Sequence, residues 1–252
     1  MAKNRQFLEN DLQKIYVFGQ HSALAAIKNP KRKIKKAIIT EEFSNKIDKN
    51  LLKKVKHVEI VSKKQFDAFC KSKDNKNQGI ALEAYYPKNF ELSKILSNNT
   101  NTLIIMLDQI QDPQNIGSIM RSAALFGCNY IITSKDNSPD LNSSIIKAAS
   151  GGAEIVDYVK VQNLSRNILE IKKHGFWVVG LDQNSEVSID KFDIPKKCLL
   201  VIGSEHLGLR NLTKKNCDYL VSIKAKKNNV NIDSLNVANA TTIALYECFK
   251  KL

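Results

Sequence analysis

Three clusters of polar residues sit where apolar runs give way to helical patterns, and they hold the candidate chemistry of this chain. The first is NIGSIMR, residues 115–121, with Asn115 and Arg121. The second is VIGSEHLGL, residues 201–209, in which a strand ends at Gly203 and Glu205 follows. The third is DSLNVANATTIA, residues 233–244, opening on Ser234, Leu235 and Asn236. A glycine at the carboxyl end of a strand lets a ligand approach the backbone, which puts Glu205 at the mouth of a crevice. Taken singly, each cluster has an ordinary role. Asn115 is a cap and Arg121 a solvated side chain; 201–209 is a turn; Ser234 caps a terminal helix with Asn236 in its first turn. Other chemistries are disfavoured. No GxGxxG follows a strand and no GxxxxGK[ST] occurs, against dinucleotide binding of the Rossmann kind and P-loop phosphate chemistry. No HExxH occurs, and His21, His57, His174 and His206 lack metal-ligand spacing, so no metal is expected.

The elements that must position these residues read as α/β. The apolar run 103–107 predicts a buried strand, 108–115 a turn-rich loop with Asp108, Gln109, Asp112 and Asn115, 116–126 a helix closed by Gly127, and 130–133 a second strand. Such strand–loop–helix–strand units build parallel sheets, whose ligand crevices lie at the carboxyl ends of the strands. Further strands are expected at 155–161, 176–181, 198–205 and 219–223, and helices at 143–149, 164–173 and from about 234 to the end. Asn163 is the expected cap of the helix at 164. Ahead of this part, residues 1–14 read as a flexible arm and 15–87 as a small α/β domain, with strands at 16–18, 34–40, 58–62 and 78–86. Helices are expected there at 22–29, 44–56 and 63–71. Residues 88–102 read as a linker with one short helix, leaving 103–252 as the larger domain.

Composition narrows the partners. Lys and Arg number 39 against 25 acidic residues, a net charge of +14, which favours an anionic partner with nucleic acid first. Five scattered cysteines with no CxxC pair argue against a disulfide framework or a zinc site and for a reducing compartment. No apolar run reaches the length of a membrane span, so a soluble, cytoplasmic protein without membrane contact is expected.

In this order, each at a strand–helix junction, NxGxxxR, GSExxGL and SLNVxxA resemble the motifs of the SpoU (TrmH) family of RNA ribose methyltransferases, in the SPOUT superfamily. The N-terminal FGQHSALAAI and NQGIALEA resemble the small ribosomal-protein-like RNA-binding domain of the bacterial members that methylate a guanosine of 23S rRNA, and the SGGA turn at 150–153 also fits those members. The resemblance implies a parallel sheet whose C-terminal segment makes a trefoil knot, S-adenosyl-L-methionine as methyl donor, a homodimer formed through the knotted domain, and 23S rRNA as partner. It implies further that Gly203, Ile223 and Leu235 hold the cofactor and that Arg121, Asn115, Glu205, Ser234 and Asn236 form the reacting site, some of them across the dimer interface. A free guanidinium is a poor base, so Arg121 is expected to stabilise alkoxide charge or anchor a phosphate.

The chain departs from its relatives in three places. His206 stands where glycine is common, Asn77 where histidine is usual, and residues 223–233 form a longer segment without Pro or Gly, with Lys224, Lys226 and Lys227 as phosphate contacts or a solvated tip. Two other functions stay open at this point: a tRNA ribose methyltransferase of the same family, and a non-catalytic RNA-binding assembly protein.

Overall fold

Apolar runs set the strands of this protein, and side-chain caps start most of the helices between them. The computed structural model describes residues 11–73, 78–88, 92–96, 102–205, 207–225 and 234–252. The expectations for residues 1–10, Asn77, His206, Lys226 and Lys227 fall outside these. The chain divides into two compact units, Met1–Asn89 with Leu141–Glu154 and Phe90–Asp140 with Ile155–Leu252.

The first unit runs β1 (Leu12–Phe18), α1 (Gln20–Lys28), β2 (Lys33–Thr40), α2 (Glu41–Lys46), α3 (Lys49–Leu52), β3 (Val58–Val61), α4 (Lys63–Ser72) and β4 (Ile80–Pro87). Its sheet has the order β1-β4-β2-β3, antiparallel except for the parallel β2–β3 pair. Residues 12–14, expected in the arm, instead extend β1, with Leu12 opposite Pro87 and Lys14 opposite Tyr85. Ladder hydrogen bonds to a long β4 outweigh the polar side chains there. The single helix expected over 44–56 is two short ones, because two residues compete as caps. Thr40 Oγ1 accepts from the Phe43 amide at 3.2 Å and Asp48 Oδ1 from the Asn50 amide at 2.8 Å. Phe18, Phe66, Cys70 and Ala81 form a core cluster here.

The second unit begins with α5 (Leu92–Leu96), in the stretch expected to be linker. Its Ile95 and Leu96 are buried in the same cluster as Met106, Ile132 and Leu199, so this helix belongs to the core. Then follow β5 (Thr102–Leu107), α6 (Pro113–Leu125) and β6 (Tyr130–Ser134). The chain leaves for the first unit as α7 (Ser143–Ala149) and returns as β7 (Asp157–Val161). It continues with α8 (Leu164–Lys173), β8 (Trp177–Leu181), β9 (Lys197–Ile202), α9 (Asn211–Lys215), β10 (Tyr219–Val221) and α10 (Val237–Lys251). All six strands are parallel, in the order β10-β8-β9-β5-β6-β7. The expected α/β class with a parallel sheet is what the chain adopts. Asn163 caps α8 as expected, its Oδ1 accepting from the Arg166 amide at 3.0 Å. Among the described residues, no helix is long and apolar enough to cross a membrane.

Leu141–Glu154, expected within the larger domain, is part of the first unit. Ile145, Ile146 and Ala149 of α7 are buried, and Ser22 Oγ donates to the Ile146 carbonyl at 2.9 Å. Glu154 closes the excursion. Its carboxylate accepts from Asn29 Nδ2 at 2.7 Å, Arg32 Nε at 2.9 Å and the Tyr86 hydroxyl at 2.6 Å. The Arg32 guanidinium also lies 3.6 Å from the Tyr86 ring centroid. Burial, reinforced by Glu154, holds the Tyr86 phenol protonated well above its ordinary range.

Candidate active site

The carboxyl ends of β8, β9 and β10 open into a cleft of about 800 Å³, within the range of small-molecule sites. Its walls include Leu181, Ile202, Leu209, Ile223, Leu235 and Val237, and its polar groups include Asp182, Asn184, Glu205, Lys214 and Ser234. Of the residues singled out in the sequence, Gly203, Glu205, Ile223, Ser234 and Leu235 line this cleft. Asn115, Arg121 and Asn236 do not.

The loop after β9 shows why residue 203 is glycine. Ser204 and Gly208 exchange both backbone hydrogen bonds, 3.1 Å from the Ser204 amide and 2.9 Å from the Gly208 amide. This hairpin folds back so tightly that a Cβ on Gly203 would stand 2.1 Å from Gly208 C and 2.3 Å from Leu209 N. The chain's own backbone therefore demands this glycine, before any ligand is considered. Arg210, at the end of the hairpin, is tied to the neighbouring strand. The fully buried Asp108, just past β5, accepts from Arg210 Nε at 2.7 Å and from the Arg210 amide at 3.3 Å. Gln109 follows in the left-handed region at φ 63°, a conformation that side chains other than glycine rarely hold. It swings the chain out of the strand toward Asp112, which caps α6 by accepting from the Gln114 and Asn115 amides at 3.0 and 3.3 Å.

Asn115 is therefore in the first turn of α6 rather than its cap, and the helix starts earlier than the apolar pattern predicts. The opposite shift occurs at the last helix. Asn236, expected inside the first turn, is the cap of α10, and Ser234 is an exposed residue of the cleft. Asn236 Oδ1 accepts from the Ala238 amide at 3.0 Å and the Asn239 amide at 3.4 Å. With its oxygen fixed on the helix end, the amide nitrogen must point outward. It donates to Asn115 Oδ1 at 3.0 Å and to Glu205 Oε1 at 3.4 Å. One side chain thus joins all three sequence clusters at the rim of the cleft.

Arg121 stands apart. It is exposed on α6, and no hydrogen bond or ion pair engages it among the described residues. Helix α6 packs against α10, with the Ser122 and Thr242 hydroxyls 2.7 Å apart. At the ends of these helices Phe126 lies 5.9 Å from both Tyr246 and Phe249.

Sequence reasoning missed the other side of the cleft. Asp182, directly after β8, is ion-paired with Lys214 of α9. Partial burial works against its charge, but the Lys214 ammonium and the Asn184 amide outweigh it and hold its carboxyl below the usual range. The rule that parallel strands present ligand-facing residues at their carboxyl ends would have found Asp182. Lys214 gave no such signal, because α9 is too short and polar to show helical periodicity. Lys224, left open between phosphate contact and solvated tip, donates to the Ser185 carbonyl at 2.8 Å. Among the described residues, no three His, Cys, Asp or Glu side chains converge as a metal site would need.

Known proteins are similar to this chain in sequence and in fold. Residues 102–246 match the model of the SpoU rRNA methylase family, and residues 16–88 match that of the RNA 2′-O ribose methyltransferase substrate-binding domain. The 23S rRNA (guanosine-2′-O-)-methyltransferase RlmB of Coxiella burnetii is 32% identical over 92% of this chain and 93% of its own. The SpoU methyltransferase AviRb of Streptomyces viridochromogenes, solved with the cofactor AdoMet, superposes with a TM-score of 0.77 at 22% identity, over 94% of this chain and 90% of that one. A TrmH/SpoU tRNA-modifying enzyme of A. aeolicus aligns with a TM-score of 0.53 at 26% identity, over 63% of this chain and 79% of its own. With both of its parts matched and the three motifs meeting at one cleft, the chain belongs to the SpoU rRNA methylase family.

Proposed function

We propose that this protein is an S-adenosylmethionine-dependent methyltransferase that modifies the ribose 2′-hydroxyl of a guanosine in 23S rRNA. The observation that carries this reading is the Asn236 amide, which binds Asn115 and Glu205 together at the rim of a cofactor-sized cleft. A pure RNA binder has no need of that junction. Relatives similar over nearly the whole chain are 23S rRNA guanosine enzymes, whereas the tRNA enzyme aligns with less than two thirds of it.

The cleft fits the cofactor. Ile223 and Leu235 offer apolar walls for a purine, the Gly203 backbone closes the floor without a side chain, and Glu205 and Ser234 give polar contacts. When bound, S-adenosylmethionine supplies a methyl carbon that is already electrophilic. What remains for the protein is alignment and charge. Asn115, Glu205 and Asn236 would hold the ribose so that its 2′-oxygen lies in line with the methyl group. Arg121 would stabilise the negative charge that develops as the hydroxyl loses its proton to solvent, or grip the adjoining phosphate.

Arg121 would serve the site of a second copy. Its solvent-facing position on α6 supports this, as does the apolar surface beside it. Leu125 is 72% exposed, Tyr246 48% and Phe249 57%, an open face on α6 and α10 suited to a homodimer. The strand order, with β9 inserted between β5 and β8 before the chain returns to α10, supports a knotted C-terminal segment. The first unit, with its substrate-binding match, would be the ribosomal-protein-like RNA-binding domain. We assign residues 11–88 and the α7 excursion to it, and α5 onward to the methyltransferase.

Transfer of labelled methyl from S-adenosylmethionine to unmodified 23S rRNA and, in parallel, to tRNA tests this, with the product nucleosides identified. The expected outcome is 2′-O-methylguanosine from 23S rRNA alone. Signal from tRNA alone, or from neither, overturns the reading. Arg121→Ala is expected to retain cofactor binding and lose about 100-fold or more in turnover.

A further inference from the structure

Away from the cleft, the second unit leaves aromatic surface open at the amino ends of its strands. Trp177, the only tryptophan of the chain, opens β8, and Tyr219 opens the neighbouring β10. Tyr219 pairs with Val179 in the parallel register, which puts it on the same sheet face as Trp177. The two ring centroids are 5.6 Å apart at an angle of 37°, and Phe192 lies 5.1 Å from Tyr219. Trp177 is 49% exposed and Tyr219 41%, while Val179 and Cys198, their register partners on the same face, are fully buried. Exposing that much aromatic surface costs stability, and packing within the chain gives no account of it.

The surroundings favour an anionic occupant. Lys196 precedes β9, whose Cys198 pairs with Trp177, and Lys215 closes α9 shortly before Tyr219. The nearby ion pairs are Lys172 with Asp218, Lys173 with Glu170 and Lys214 with Asp182, and they leave Lys196 and Lys215 uncompensated among the described residues. One segment of chain links the patch to the proposed active site. The segment after β8 lines the cleft with Asp182 to Glu186 and then carries Phe192 onto Tyr219. Lys251, near the end of α10, pins that segment by donating to the carbonyls of Ile189, Asp190 and Phe192 at 3.0, 2.7 and 2.8 Å.

From this we infer that Trp177, Tyr219 and Phe192 form a stacking platform for unpaired bases of the substrate RNA beyond the methylated nucleotide, with Lys196 and Lys215 on its phosphates. Tilted rings on a cationic edge suit splayed, single-stranded bases, since every base offers a π-face and the backbone brings the charge. A second copy of a chain with a net charge of +14 suits the edge less well. The inference rests on the RNA substrate proposed above but not on methyl transfer.

Because Trp177 is the sole tryptophan, its fluorescence reports on the platform directly. Titration of the full chain with a short unstructured oligoadenylate is expected to quench its emission saturably. Tyr219→Leu keeps apolar bulk but removes the aromatic face. It is expected to weaken oligoadenylate binding, read by anisotropy of the labelled oligonucleotide, about tenfold. With rRNA as substrate, the same variant should raise KM about tenfold and leave kcat and S-adenosylmethionine affinity unchanged. Oligonucleotide binding with no change in Trp177 emission, or a Tyr219→Leu protein that binds like the parent, overturns the platform. So does an emission change that follows protein concentration without RNA, which would mark a contact between copies. Quenching and the Tyr219→Leu loss in a protein that methylates no RNA would sink the methyltransferase reading and leave the platform standing.

Discussion

At the scale of single residues, Asn236 carries two tasks on one amide, and they can be separated. The oxygen caps α10 and the nitrogen joins Asn115 and Glu205. Asn236→Ala loses both, so about 1 kcal/mol of stability should go along with activity. Asn236→Asp keeps an oxygen for the cap, and its charge suits a helix amino end, but it sets a second carboxylate against Glu205. Its melting temperature should stay within a few degrees of the parent while methyl transfer falls at least about tenfold. Thermal unfolding and single-turnover rates on the two variants check this; full activity in Asn236→Asp would show that the donated bonds are dispensable. That both Ser234 and Asn236 are competent caps is why the sequence pointed to Ser234 where the structure uses Asn236. Only the fold decides which of them meets Asn115, a residue 121 positions away.

At the scale of elements, the hairpin after β9 is the least tolerant piece. A methyl group at residue 203 would meet backbone atoms of Gly208 and Leu209, which cannot swing aside as a side chain can. Gly203→Ala is expected to cost about 3 kcal/mol, and to lower cofactor affinity as the turn opens, both measurable by calorimetry. The strands of the parallel sheet were legible because each is an apolar run bounded by turn residues, as in 103–107 and 176–181. Asn163 announced α8 for the same local reason. The pieces that escaped are those whose form is set from outside. Residues 12–14 become strand because β4 is there to pair with them. Helix α5 was expected as one short helix of a linker, but that Ile95 and Leu96 find a core to enter was not legible. The polar NLTKK of α9 has no apolar face to betray it. The three functional clusters were each visible as motifs, but the hydrogen bonds joining them were not, and neither was the isolation of Arg121.

For the whole molecule, burial governs the thiols and sets an alkaline limit on stability. It raises Cys128, Cys217 and Cys248 from 9.0 to about 12. The folded chain therefore keeps these protons where the unfolded chain releases them. Their contribution is complete below about pH 9 and is lost as pH rises from there toward about 12, because the unfolded state then binds fewer protons than the native one. At pH 10 the loss should be about 1 kcal/mol per thiol. Urea midpoints at pH 7.5 and 10 should differ accordingly, and Cys128→Ala should narrow the gap; an unchanged gap would mean that other groups dominate.

The α7 excursion has a consequence for anyone who would take this protein apart. The chain passes between its two units at three places, after Asn89, after Asp140 and after Glu154, so neither unit is one continuous stretch of sequence. A cut in the 88–102 segment would not release two finished domains. It would strip Glu154 from Arg32 and Tyr86 in one fragment and bare Ile145 and Ile146 in the other. Grafting a different substrate-binding unit onto this methyltransferase therefore means exchanging two segments together, as with an inserted cassette whose retaining strap is encoded elsewhere in the gene.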